Sequence, residues 1–429
     1  MGWRTFTPRA FGFGAAAVAL WLVGLLTGVP ELFMLAVAAL VLPLGAWLVV
    51  RFGRYRLTCT RSVRPLRATV GSRIAATVRL HNPARFETGV LLLEDQLPYQ
   101  FGPAARFVVP GLAGGDHETL HYELTAMTRG RYTIGPLSVR LLDPFGLAQV
   151  ISEVAGTSEV IIHPRVEGLS APGMGGDFAS ASAARVRRLF TRGDEFYTTR
   201  EYRDGDDLRK VHWRSSAKRG QLMIRQEEQP WRARALLAVD LRKQAHLGHG
   251  DQSSLERAIS ATASMAVRLA RSGYELALLT DGGERVVPPT GMDQADAILD
   301  FLATVGPSRG ASLVPMADQL ARLSGEGMLI AVLTIPDPEE AAVLARARLG
   351  FGGALAMLVR ADTWTGLAAR DLAAGDARAA GAATMLERAG WRTAALNRSD
   401  RLEQPWHRLT APLGRATPTS HRPSPSSAS

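Results

Sequence analysis

Between positions 191 and 229 the chain concentrates ionisable, aromatic and turn residues more densely than anywhere else. Glu195, Arg200, Glu201, Arg203, Asp207, Arg209, Arg214 and Arg225 can form a network of opposite charges, because the planar arginine fork binds carboxylates bidentately. Structural ion-pair networks commonly imitate active sites. In that reading the network and Trp213 simply join this segment to the domain that follows. Exposed arginine, tyrosine and tryptophan are also typical anchors of protein interfaces, and Tyr202 and Trp213 belong to that class. Catalysis would need a nucleophile, a base and a group that orients the base. His212, Ser215 and Ser216 are neighbours in sequence, but no carboxylate can be assigned to the histidine. A phosphate-cradling Gly-Lys-Ser/Thr loop is absent, so the chain itself is not expected to hydrolyse ATP. His246-Leu247-Gly248-His249 is the one close histidine pair, and without nearby cysteine it reads as a solvated loop.

Taken together, Gly193-Asp194-Glu195-Phe196, Arg200-Glu201-Tyr202, Gly205-Asp206-Asp207, Arg209, His212-Trp213, Ala217 and Arg225 resemble the signature of a bacterial membrane-protein family, domain of unknown function 58. Members are often encoded beside MoxR-type AAA+ ATPases, so the resemblance implies such an ATPase as the protein partner. It also implies that the last domain is similar to a von Willebrand A module. A cation-binding module of that kind has Asp-x-Ser-x-Ser after its first strand, because Mg²⁺ takes hard oxygen ligands. Here the stretch is Asp240-Leu241-Arg242-Lys243-Gln244. Both serines are replaced, one of them by an arginine that would repel a cation and can neutralise Asp240 itself. Leu279-Thr280-Asp281-Gly282 mimics another metal-bearing strand, yet it comes second in chain order, and the later strand ends Leu333-Thr334-Ile335-Pro336 without an acid. Asp240 and Asp281 are therefore the metal candidates, and the expectation is that neither holds a metal and that no cofactor is bound.

These residues need elements to position them. Within the signature, 191–232, Asp204-Gly205 is a turn, Asp206 can cap a short helix carrying Leu208, Val211 and His212, and Lys218-Arg219-Gly220 turns into a strand. From 233 to 410, apolar strands alternate with helical patterns, which implies a parallel α/β sheet with right-handed crossovers. Ligands of such sheets sit beyond the carboxyl ends of the strands, where Asp240 and Asp281 fall. From 56 to 165 the pattern has period two and is rich in β-branched residues, as in an all-β immunoglobulin-like sandwich. In its Asp143-Pro144-Phe145-Gly146-Leu147 corner, Phe145 and Leu147 are expected to fill the core. Residues 166–190, dominated after 168 by Gly, Ala and Ser, read as a flexible linker, and 411–429 as a disordered tail.

The apolar spans 10–29 and 32–50 each reach the roughly 20 residues a helix needs to cross a bilayer. They read as a transmembrane hairpin rather than a cleaved signal, since the second span stands where a cleavage site should be. Arg4 and Arg9 precede the hairpin, Arg51, Arg54 and Arg56 follow it, and the turn carries only Glu31. The positive-inside bias then puts both termini in the cytoplasm, with 1–9 as a short cytoplasmic N-terminus and the protein in the inner membrane. The lone Cys59 fits a reducing compartment. Of the formal charge of +10, the excess lies beside the hairpin and in the tail, leaving the middle balanced. That placement suits anionic lipid headgroups near Arg51, Arg54 and Arg56 and argues against nucleic acid, which would call for a basic face on a domain. The combined expectation is a membrane-anchored cytoplasmic scaffold or adaptor without enzymatic activity. Its alternatives are an enzyme using the signature at an interdomain cleft and a metal-dependent adhesion-type module.

Overall fold

In the strand Arg73–His81 every second residue is buried, so one face must be covered by another layer of protein. The structure, a computed structural model, describes residues 3–52, 57–85, 87–143, 145–171, 198–202, 211, 213–226, 234–289, 293–323, 327–365 and 369–411. The chain divides into two compact units, Met1–Arg165 and Val166–Ser429. Most of the expected linker, from 172 on, and the tail from 412 lie outside the described residues.

The first unit begins with β1 (Trp3–Phe6), α1 (Pro8–Thr27) and α2 (Pro30–Phe52). Gly28 ends α1 in a left-handed conformation, φ 71°, and returns its N–H to the Gly24 carbonyl. Trp21 meets Phe33 edge-on, their ring centroids 5.0 Å apart, where the helices pack together. Both helices are long and apolar enough to cross a membrane. Phe11, Val18, Leu26, Met34 and Leu40 point away from the protein, which suits lipid rather than water.

The rest of this unit is all β: β2 (Thr58–Arg64), β3 (Arg67–Thr69), β4 (Arg73–His81), β5 (Leu91–Asp95), β6 (Ala105–Val109), β7 (His117–Thr125), β8 (Gly130–Ile134), β9 (Leu137–Leu142), β10 (Ala148–Ala155) and β11 (Ser158–His163). They form sheets ordered β1-β10-β9-β5-β6, β2-β4-β7 and β3-β11-β8. Val78 and Leu80 of β4 pack on Leu91, Leu93, Val139 and Leu141 of the first sheet, while Ile74 and Ala76 pack on Ile134, Val160 and Ile162 of the third. Positions 1–9 are thus more than a terminus. β1 pairs antiparallel with β10, so the strand before the hairpin is an edge of the sheet after it. A second correction concerns the 143–147 corner. Leu147 is buried, but Phe145 is 64% exposed and fills no core.

One polar network crosses the interior. Arg61 reaches Asp95, which is fully buried, with Nη1 at 2.7 Å from Oδ1, and donates from Nη2 to the Ile134 carbonyl at 2.9 Å. The Tyr122 hydroxyl donates to the other Asp95 oxygen. Burial, reinforced by Asp95, pushes the Cys59 thiol up to about 11, so the lone cysteine stays protonated at neutral pH.

The second unit is built on a six-stranded sheet ordered β16-β15-β14-β17-β18-β19, from β14 (Arg234–Val239), β15 (Glu275–Thr280), β16 (Arg285–Val286), β17 (Met328–Thr334), β18 (Gly353–Val359) and β19 (Trp391–Leu396). All pairings are parallel except β16 on β15. Every residue of β17 and β18 is buried, as a sheet covered on both faces requires. One face, including Leu237 and Val239, is covered by Ile259 and Met265 of the helix Ser254–Arg271, Ile298 of Gln294–Thr304 and Trp406 of Glu403–Thr410. The other, including Leu236 and Ala238, is covered by Met316 of Val314–Arg322, Leu344 of Pro338–Ala347 and Leu386 of Ala369–Arg388. Residues 166–171, expected as the start of a linker, belong to this unit. Leu169 joins its core, Glu167 pairs with Arg257, and the Ser170 carbonyl accepts from Trp406 Nε1 at 3.1 Å.

Truncating Arg61 to alanine would strand the Asp95 carboxylate in the β-rich core. Arg61→Ala is expected to destabilise this unit by roughly 3 to 5 kcal/mol, the usual loss when one partner of a buried pair is removed. Denaturant unfolding of the full chain in detergent, followed by circular dichroism, measures it.

Candidate functional site

In the sheet of the second unit, the chain leaves β14 for β15 on one side and later returns to β17 on the other. Successive crossovers part at such a switch point, and the loops beyond the strand ends leave a crevice. Asp240 follows β14 directly and is fully buried. Its two oxygens are covered by the side chain of Arg242, with Nε 3.0 Å from Oδ1 and Nη2 3.0 Å from Oδ2. At the end of β17, Thr334 donates its hydroxyl and, at 3.2 Å, its backbone N–H to the same Oδ2. The free edge of the guanidinium turns to Glu340, with Nη1 at 2.5 Å from Oε1.

Glu340 stands in the first turn of Pro338–Ala347 as the N3 member of a capping box with Asp337. Its Oε1 also accepts from Leu313 N at 2.8 Å and its Oε2 from Asp337 N at 3.2 Å, so a helix cap doubles as the second carboxylate on Arg242. Burial alone would raise the Asp240 carboxyl, but the Arg242 guanidinium, with help from the Thr334 hydroxyl, outweighs it and holds Asp240 below the usual carboxylate range. Burial alone would likewise lower Arg242, but Asp240 and Glu340 raise it, so the guanidinium stays charged.

Asp281 ends β15 next door. It accepts from Leu241 N at 3.1 Å through Oδ1 and from the Ser308 hydroxyl through Oδ2. His246 is buried, contrary to the solvated loop expected for it. Its Nε2 lies 2.9 Å from the Asp240 carbonyl, which only accepts, so Nε2 carries the proton and Nδ1 takes the Ser254 hydroxyl at 3.1 Å. Burial pushes His246 below its ordinary 6.5.

A parallel arrangement closes the next strand. Arg360, after β18, grips Asp362 with Nε to Oδ1 at 2.9 Å and Nη2 to Oδ2 at 2.7 Å, and also pairs with Asp376. The helix Ala369–Arg388 passes so close that a Cβ added at Gly375 would come within 1.8 Å of Asp362 Oδ2, which explains a glycine in a helix interior. Between the two arginine pairs lies a crevice of about 640 Å³, lined among others by Leu247, Pro336, Ala382 and Met385 with Arg378 at its side. Asp240, Glu340 and His246, which could serve proton transfer, are each held by a partner. The crevice therefore offers shape, apolar surface and fixed charge.

The signature residues are placed elsewhere in this unit. Arg200, Glu201 and Arg225 lie on a two-stranded antiparallel ribbon, β12 (Thr198–Glu201) and β13 (Met223–Gln226), with Thr199 opposite Arg225 and Arg200 opposite Ile224. Tyr202 continues it, donating its N–H to the Leu222 carbonyl at 2.8 Å. Glu195, Asp206, Asp207, Arg209 and His212 lie outside the described residues. The helix here is Trp213–Arg219. Trp213 is 71% exposed. Ser216 is buried and accepts Met223 N at 2.8 Å, tying helix to ribbon. Among the described residues, no group of three or more His, Cys, Asp or Glu could hold a metal ion.

Residues 198–337 match the family described as "Protein of unknown function DUF58". That segment is a DUF58 domain. The DUF58 match runs from β12 to Asp337, so it holds the ribbon, Asp240, Arg242, Asp281 and Thr334, while Glu340 and Arg360 follow it. The "Uncharacterized protein YeaD" of Bacillus subtilis (strain 168) is 25% identical over 239 residues, 51% of this chain and 54% of that protein. The chain thus spans about half the length of the curated relative it matches. Similar solved structures include the CARDB domain of the PF1109 protein from Pyrococcus furiosus, in complex with di-metal ions, at 15% identity and TM-score 0.20, covering 26% of this chain and 90% of that one. Another is a beta-glucosidase from Listeria innocua, at 14% identity and TM-score 0.17, covering 25% and 16%. Such low TM-scores carry no argument about fold or function.

Two outcomes follow from the geometry of the DUF58 site. Below about pH 6.5 an unfolded chain takes up a proton that the folded His246 refuses, so its contribution is present above that pH and lost toward acid. The melting temperature is expected to fall between about pH 7 and pH 5, and to fall less in His246→Gln. Calorimetric titration with Mg²⁺ or Mn²⁺ is expected to show no micromolar binding at Asp240, because Arg242 already covers both its oxygens. Saturable heat that disappears in Asp240→Ala would reinstate the metal site.

Proposed function

We propose that the chain is a membrane-anchored adaptor rather than an enzyme. The α1–α2 hairpin holds it in the inner membrane with both termini in the cytoplasm. The β-rich part is an immunoglobulin-like sandwich, and the second unit is a von Willebrand A-like module that engages a protein through the crevice beyond its strand ends. The observation that carries this reading is the closure of Asp240 by Arg242. In a module of this kind the position after the first strand recruits a cation, and here a side chain of the chain itself supplies the positive charge. The site is left as a preformed surface, with apolar contacts from Leu247 and Met385 beside the exposed Arg378, a composition suited to protein recognition. The family resemblance supplies the partner's class, a MoxR-type AAA+ ATPase, and fold alone cannot supply it.

Capture from native membranes with the tagged chain, read by mass spectrometry, tests the proposal. The ATPase is expected among the captured proteins, and the double variant Arg378→Glu, Met385→Glu is expected to lose it while keeping the parent melting temperature, since both side chains reach the crevice from an exposed helix face. Retention of the ATPase by this variant would place the contact elsewhere, and a turnover abolished by it would favour an enzyme.

A further inference from the structure

The hairpin is shorter, measured from the protein it stands on, than a bilayer is thick. Ala10 of α1 and Ala46 of α2 are buried against Leu147 and Ala148 at the start of β10, with Phe6 and Trp47 packed around them. What projects beyond that contact is 10–27 of α1 and 30–46 of α2, about 25 Å at the helical rise. The hydrocarbon core of a bilayer is about 30 Å. If the hairpin spans it, the contact itself must stand at the membrane surface.

Gly146 and Leu147 are held at that level. Thr7, the residue before α1, donates its N–H to the Leu147 carbonyl at 2.9 Å and its hydroxyl to the Gly146 carbonyl at 2.6 Å. The Asp143 carboxylate holds the turn from inside, accepting from Phe145 N at 2.9 Å and Ala148 N at 2.6 Å. The large aromatic side chain of Phe145 faces outward beside the entry of α1. Arg9 lies next to it, close enough that a Cβ on Gly146 would be 3.4 Å from its Nη1. An exposed apolar ring with a cation beside it is the pairing that the boundary between headgroups and acyl chains accepts.

We propose that the Phe145 turn is a lipid anchor. Its ring enters the headgroup layer beside α1, with Arg9 at the phosphates, and so sets the β-rich unit down on the membrane surface instead of letting it hang from a flexible stem. This rests on the reading of the hairpin as membrane-spanning.

The test uses the full chain, with Cys59→Ser removing the native thiol, in vesicles of phosphatidylethanolamine and phosphatidylglycerol. A nitroxide is placed singly through Phe145→Cys, Val18→Cys on the exposed face of α1, and Val108→Cys on β6 at the far edge of the sheet. Collision with oxygen, which concentrates in lipid, is compared with collision with a water-soluble nickel chelate. The oxygen-to-nickel ratio is expected to be highest at position 18, lowest at 108, and at 145 several-fold above that at 108. If position 18 is lipid-like while 145 is as open to nickel as 108, or is shielded from both reagents as a bound protein would leave it, the anchor is overturned and the hairpin reading stands. If position 18 is itself water-like, the membrane reading falls and the anchor with it.

Discussion

The pairing of Arg242 with Asp240 decides what the second unit can do. Two residues apart on one loop, they form a bidentate ring beyond the first strand of the sheet, and Thr334 and Glu340 bring β17 and the following helix to the same guanidinium. A buried pair of this kind adds little net stability over apolar residues of similar size, because both charges lose their water. It does fix geometry. Asp240 cannot turn outward without stranding Arg242, and Glu340 cannot move without opening the cap of its helix. The connections that follow β14 and β17 are thereby held as one surface.

The same logic recurs at the next strand, where Arg360 grips Asp362 and Asp376. Arg360 holds the Asp362 carboxyl below its usual range, and that side chain is wedged against the bare backbone at Gly375. The crevice therefore has two walls in each of which one arginine holds two carboxylates, with an apolar strip between them and Arg378 beside it.

Much of this was legible in the sequence, and the reasons for the rest are physical. Continuous apolar runs located the parallel strands because both faces of the sheet are covered, and Asp337-Pro338-Glu339-Glu340 announced a helix start. The loss of both serines after Asp240 pointed to Arg242 as its partner, since the two lie on one short loop. Glu340 was visible only as a cap; its second task depends on a strand that brings it to Arg242 from far along the chain. His246 looked solvated because it stands in a glycine-rich loop without a nearby cysteine, whereas in the fold it is buried with Ser254 and the Asp240 carbonyl on its two ring nitrogens. Arg360 and Asp362 obey the same end-of-strand rule as Asp240 and could have been found by applying it to β18. Phe145 misled in the other direction. An aromatic in a tight corner usually turns inward, but Leu147 already takes the inward place here. The short β1 had no period long enough to register.

That β1 lies before the hairpin and pairs with β10 after it also fixes an order of events. Phe6 meets Ala148 across the sheet, so the strand must wait for some 140 further residues before its partner exists. At ordinary rates of synthesis that is about 7 to 30 s, far longer than a helix needs to form. The two apolar helices are therefore complete and committed to their surroundings while the sheet still lacks its edge. Pairing of β1 with β10 then ties the base of a hairpin formed earlier into the sheet, which makes the sheet a clamp on the hairpin.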